Sequence, residues 1–399
     1  MKTIYSSFFF FKILRAIVAP LFLIFAFEIS HSPIQVGIVA WSLTLGEVIG
    51  SSIWGRISTK LKSKKWLFVG GICSYLLLSL LYFSENLFIL NLIAFLFSFI
   101  NVSTYMCLIF FGFSRNLKKK LARIEEIGGV GYLVGLLIGL SSKFVSSQLI
   151  FLLVSLSSIP FILFTFKTVR DEIFKEFRKG IFVLEDIFKL LLKVEKEFVK
   201  ELGKFFSFRS HHSKTLIPLS HLSKPKSMLN HLPFLLFLFS FGLVIPQITS
   251  LIRMKGFDNS FVYLFAITSS LASIYSYRSV YSIKNLYRAF TPAFLTRWIF
   301  FILLIPSLSL EGLNFLILIL SFGFIKGITW GYFLITFNHV SLEKFRGEFG
   351  VNLGLRSLAY SVGSLAGGFI LRYYGYWLFL ISALIMMVGF LIFKKSFRI

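Results

Sequence analysis

The sequence predicts an all-α membrane protein, with twelve transmembrane helices arranged as two six-helix halves. Three observations carry that expectation. Of 399 residues, 56% are hydrophobic and only 15% charged, and mean hydropathy is +0.82. Ordinary soluble chains are about a quarter charged, so lipid must cover apolar surface that a soluble core could not hold. Apolar runs of about twenty residues, the length a helix needs to cross the hydrocarbon layer, recur twelve times. These runs are continuous rather than alternating, which excludes a barrel and leaves helices to satisfy the backbone in lipid.

In chain order the runs lie near 8–28, 34–54, 66–84, 87–112, 127–142 and 145–166, then 232–252, 261–277, 289–308, 312–336, 349–371 and 374–393. The first does not read as a cleaved leader, because Lys12 and Arg15 interrupt it and no small-residue cleavage site follows. The net charge of +25 would suit nucleic acid, but the basic residues fall in alternate loops rather than on one folded face. Twenty lysines and arginines flank one side of the spans and four the other. The positive-inside rule therefore places both chain ends and the long middle segment in the cytoplasm of a cell-membrane protein.

Three units follow: an N-terminal half (1–167), a cytoplasmic linker (168–231) and a C-terminal half (232–399). Within 170–206, Phe177, Ile181, Leu184, Phe188 and Leu191 recur at helical spacing between lysines and glutamates. That pattern predicts an amphipathic helix on the inner surface, drawn to anionic lipid headgroups. Residues 207–231, rich in Ser, His and Lys, read as flexible tether.

The halves echo one another. Arg123-x-Glu125 precedes the fifth span and Arg346-x-Glu348 the eleventh. Gly131, Gly135 and Gly139 then match Ala359, Gly363 and Gly367, small residues at a spacing that lets helices approach closely in lipid. Two six-span repeats around a central site is a secondary-transporter plan. Between spans two and three the chain reads Gly55-Arg56-Ile57-Ser58-Thr59-Lys60-Leu61-Lys62-Ser63-Lys64-Lys65. With the topology, this basic loop resembles the signature of the major facilitator superfamily. Gly55, Arg56, Lys60, Lys64 and Lys65 serve as its signature-loop residues, while Thr59 replaces the family's aspartate and Lys62 its second glycine. The resemblance implies a monomeric permease working by alternating access. Its spans 1, 2, 4, 5, 7, 8, 10 and 11 would line the cavity, and the other four would support it.

Ionisable side chains inside spans are costly and mark function. Glu47 in span two and Arg356 in span eleven are expected to form an interdomain ion pair that gates the inner side. The substrate-cavity candidates are Arg15, Asn101, Tyr105, Gln247 and Lys326. Arg297, on a supporting span, reads as structural. A surplus of cations in the cavity leans toward an anionic small-molecule substrate, and Glu47 reads as the sole deep carboxylate for a coupling proton. The residues are compatible with symport, uniport and efflux by proton antiport, and also with a non-transporting sensor or scaffold of the same fold. No catalytic constellation, phosphate-binding glycine loop or cofactor motif is present in the sequence. Cys73 and Cys107 both lie in apolar runs, and His211, His212, His221 and His231 have no carboxylate or cysteine beside them to suggest a metal.

Overall fold

A continuous apolar run becomes a helix in lipid because each backbone N–H and C=O then finds its partner within the segment. The computed structural model describes residues 2–61, 65–112, 117–177, 225–279, 286–344 and 349–397, with side chains described for 5–51, 53–54, 70–105, 123–167, 232–279, 290–337 and 353–396. The N-terminal half comprises α1 (Lys2–Ser30), α2 (Pro33–Leu61), α3 (Lys65–Leu81), α4 (Leu87–Gly112), α5 (Leu117–Gly139) and α6 (Ser147–Phe177). The C-terminal half comprises α7 (Pro225–Met254), α8 (Asn259–Ser279), α9 (Leu286–Leu303), α10 (Gly312–Lys344), α11 (Phe349–Tyr374) and α12 (Trp377–Phe397). Successive helices run in opposite directions, so both chain ends share one face, the terminal face; the other is the distal face. The turns after α7 and α11 need a left-handed residue, supplied by Gly256 at φ 79° and Gly375 at φ 52°.

Each predicted span falls on one helix. Nine helices carry, over their described residues, an apolar stretch long enough to cross a membrane. Two of the others, α8 and α11, fall short because their buried faces are built from small polar residues: Ser269, Ser270, Ser273 and Ser276 on α8, Ser357, Ser361 and Ser364 on α11. Both helices are wedged between others and so need less lipid-compatible surface. One boundary moves. Residues 225–231, expected as tether, are the opening turns of α7, and α6 continues to Phe177. The rest of the middle segment, including most of the expected amphipathic helix, lies outside the described residues.

The repeat read from the glycines has a packing counterpart in both halves. A β-carbon on Gly135 would collide with the backbone oxygen of Ile13, so α5 and α1 touch main chain to main chain. In the other half a β-carbon on Gly363 would strike Phe239 O, and one on Gly367 would strike Leu243 O, locking α11 to α7 the same way. The pairs α1–α5 and α7–α11 are thus equivalent.

The halves meet where α2 runs along α11 and α5 along α8. Toward the distal face this seam is stitched by hydrogen bonds, most of them to main-chain oxygens. Tyr263 Oη donates to Ile17 O at 3.0 Å and Ser361 Oγ to Trp41 O at 3.3 Å. At the outermost turns Asn259 Nδ2 donates to Glu28 Oε1 at 2.7 Å. Gly37 makes the approach possible, since a β-carbon there would lie 2.8 Å from Ser364 O and 3.2 Å from Gly368 Cα. Gly37→Val should therefore strain the seam by about 1–3 kcal/mol, the usual cost of overpacking. Spin labels at the distal ends of α2 and α11 should report a longer distance in the variant; an unchanged distance would rule this out.

Candidate functional site between the halves

Residues three apart on a helix are neighbours, and α1 uses this to present Lys12 and Arg15 together. Arg15 Nη2 pairs with Glu47 Oε1 of α2. Lys12 Nζ lies 3.1 Å from Glu125 Oε2 of α5, and Tyr105 Oη of α4 donates to Glu125 Oε1 at 3.1 Å. The Arg15 and Glu47 side chains are 30% and 20% exposed, those of Lys12 and Glu125 19% and 5%. The first pair is therefore wetted and the second nearly dry on the carboxylate side.

The C-terminal half faces this cluster through α11. Ser357 Oγ donates to Glu47 Oε2 at 3.3 Å. Arg356 lies within electrostatic reach of Tyr105, Glu47 and Glu125, and its guanidinium stands 5.9 Å from the Phe337 ring centre. Its buried Nη1 has no hydrogen-bond partner among the described residues. The expected Glu47–Arg356 ion pair is therefore not formed in this conformation. Consecutive helical residues point about 100° apart, so Ser357 rather than Arg356 meets Glu47, and the carboxylate is already taken by Arg15. Aromatic groups complete the surroundings: Trp330 stacks on Phe241 at 5.3 Å, and Tyr360 lies 5.7 Å from the same ring.

The other candidates separate. Lys326, partly exposed on α10, sets its ammonium 5.0 Å from the Phe265 ring centre and 5.9 Å from that of Phe241. Arg297 is fully buried beneath it. Its guanidinium carbon lies 4.4 Å from both the Phe237 and Phe241 ring centres, and Nη2 donates to Lys326 O at 3.1 Å and to Thr329 Oγ1. Asn101 is corrected: its amide donates to Ser74 Oγ at 3.2 Å and Phe97 O at 2.7 Å. It joins α4 to the supporting helix α3 and is not directed to the site. Gln247 is corrected likewise. With its amide oriented by the hydrogen-bond network, it donates to Pro33 O at 3.3 Å and accepts from Gly368 N at 3.2 Å, fastening the distal seam. Of the signature loop, Lys64 and the side chains of Gly55, Arg56, Lys60 and Lys65 lie outside the described residues.

The family model described as Major Facilitator Superfamily matches residues 4–367. The chain belongs to the Major Facilitator Superfamily. It is a multi-pass membrane transporter of that type rather than an enzyme. The crystal structure of nucleoside transporter NupG is similar at a TM-score of 0.67 and 14% identity, covering 100% of this chain and 99% of that one. A crystal structure of a single-site mutant of the same transporter gives 0.69 and 13%, covering 99% of each chain. At such identities the likeness is one of fold. None of the curated proteins compared is similar in sequence. A pocket of about 700 Å³ at the distal end of the C-terminal half, lined by Leu251, Lys255, Phe257 and Leu308 among others, holds none of the buried charges, so the chemistry of this superfamily member is read from the charged cluster.

Two members of the cluster escape sequence reasoning. Glu125 reads in the sequence as part of the flank before the fifth span and Lys12 only as an interruption of the first, so Glu47 stood as the sole deep carboxylate. Glu125 lies eight residues into α5, about 12 Å along it at 1.5 Å per residue, and is only 4% exposed. The available signal was the unbroken run Phe8–Phe11 before Lys12, which already places that lysine inside a helix.

Proposed function

We propose that the chain moves a small organic anion across the cell membrane by alternating access, with both chain ends in the cytoplasm. The observation that carries this reading is Arg356. The cluster holds three cations, Lys12, Arg15 and Arg356, against two carboxylates, Glu47 and Glu125, and each carboxylate is already paired within the N-terminal half. A cation left without a counter-charge in a low-dielectric site is costly, and an anionic solute supplies what is missing. The cytoplasmic placement of the ends rests on the lysine and arginine asymmetry.

A second reading has one specific observation in its favour. The Phe241–Trp330 stack, with Tyr360 beside it, would suit a planar ring, and the solved structures of like fold include a nucleoside transporter. Thermal unfolding of the purified protein against parallel panels of organic anions and nucleosides separates the two readings, followed by uptake into liposomes with and without a pH gradient. Under the anion reading, Arg356→Gln weakens binding of the stabilising anion about 10–100-fold, as expected for loss of a charge-assisted hydrogen bond of about 1.5–3 kcal/mol. Stabilisation by nucleosides alone, unaffected by Arg356→Gln, would overturn it.

A further inference from the structure

We infer that the transported anion also carries an aromatic ring, held beside Arg356 by a layer of aromatic side chains from both halves. The inference deepens the anion reading above and rests on it. Residues four apart share one face of a helix. Tyr360 therefore stands over Arg356 on α11, about 6 Å further toward the distal face at 1.5 Å per residue. On α10, Phe337 has its ring centre 5.9 Å from the Arg356 guanidinium. Trp330 lies two turns from Phe337, about 10 Å in the same distal direction. Tyr132 of α5 lies two turns from Glu125 at a matching depth, within electrostatic reach of both Arg15 and Tyr360. The charges thus form one layer and the rings the next.

Packing alone does not account for these rings. The core side chains Phe237, Phe290 and Phe294 are fully buried, whereas Tyr132, Trp330, Arg356 and Tyr360 all retain accessible surface. Phe333 and Phe241 stack on Trp330 at 5.5 and 5.3 Å and hold it in place. Tyr360 is only tilted against Phe241, at 5.7 Å and 55°, so its face is not stacked there.

The face of an aromatic ring is the negative part of its quadrupole. Such a layer offers little to a bare anion, but it attracts another ring in offset or edge-on contact. A neutral ring would in turn leave Arg356 without its counter-charge, which is costly at low dielectric. The solute that satisfies both layers is an aryl group joined to a carboxylate or phosphate through a spacer of a few bonds.

Calorimetric binding to the purified protein in lipid tests this with three probes: 3-phenylpropanoate, its ring-saturated analogue 3-cyclohexylpropanoate, and the uncharged 3-phenylpropanol. The aryl anion should bind about 2–10-fold more tightly than the saturated one, the advantage of an aromatic pair beyond its buried area. It should bind about 10–100-fold more tightly than the alcohol, which lacks the charge-assisted bond. Tyr360→Leu should erase the first ratio and keep the second, and Arg356→Gln should do the reverse. Tyr132→Leu repeats the first measurement from the other half, should Tyr360→Leu fail to fold. Equal binding of the two anions, or an aryl preference that survives in the tyrosine variants that fold, would overturn the aromatic inference and leave the anion reading standing. Binding of neither anion, or equal binding of acid and alcohol, would overturn both.

Discussion

Replacing Glu47 with leucine should both destabilise the protein and stop transport. The carboxylate joins three helices: Arg15 of α1 binds one oxygen, Ser357 of α11 the other, and the residue itself belongs to α2. Removing one partner of a buried ion pair costs about 3–5 kcal/mol, because the surviving charge is left unmatched. The loss here should fall toward or below the lower end of that range, since the two side chains are 30% and 20% exposed and water can reach the orphaned guanidinium. The companion double variant Arg15→Leu with Glu47→Leu removes both charges. It should recover most of the thermal stability, as paired deletions often do, yet remain inactive in liposome uptake, because Ser357 of α11 has lost its bond to Glu47 beside the charged cluster. If the double variant transports normally, the three-helix junction has no functional role.

Gly367→Val should have the largest effect on folding. A β-carbon at this position would collide with the backbone oxygen of Leu243 and stand 2.9 Å from its carbonyl carbon. The obstacle is main chain, so no side-chain rotation relieves it and α11 must move away from α7. That movement would also disturb Ser361, Ser364 and Gly368, which form the distal seam on the same helix. Overpacking typically costs about 1–3 kcal/mol, occasionally more, and a rigid backbone contact belongs at the upper end. Size-exclusion profiles and unfolding temperatures should show little monodisperse protein. Gly135→Val, which drives a β-carbon into Ile13 O, should behave alike, because α5 on α1 is the same contact in the other half. Normal behaviour of either variant would contradict the equivalence of the two pairs.

The fold was legible because its signal is collective. Each span rests on about twenty residues, so no single polar interruption hides it, and even α8, rich in serine, and α11, rich in serine and glycine, were legible as runs. The repeat was legible from Gly131, Gly135 and Gly139 because close helix contact in lipid leaves few alternatives to small residues. The site was less so, since it depends on the direction of individual side chains. Glu47 and Arg356 were correctly placed on facing helices, but a turn of one residue put Ser357 in the contact instead. Asn101 and Gln247 were drawn toward a cavity by depth alone, yet depth does not say which neighbour a side chain faces. Glu125 was hidden by proximity to Lys118, Lys119 and Lys120, which made a buried carboxylate look like part of the basic flank and left Lys12 without a visible partner.

The distal seam has a consequence for how such a protein divides its time between shapes. Three of its bonds, from Tyr263, Ser361 and Gln247 to main-chain oxygens, are uncharged and contribute about 0.5–1.5 kcal/mol net each, and the bond from Asn259 to the Glu28 carboxylate contributes about 1.5–3 kcal/mol. Together they are worth only a few kcal/mol. Moving a two-state equilibrium from one percent to ninety-nine percent takes about 5.5 kcal/mol of differential affinity, so a closure held by bonds of this kind sits within the range a single bound solute can reverse. The seam therefore leaves the occupancy of each state to be set by what binds.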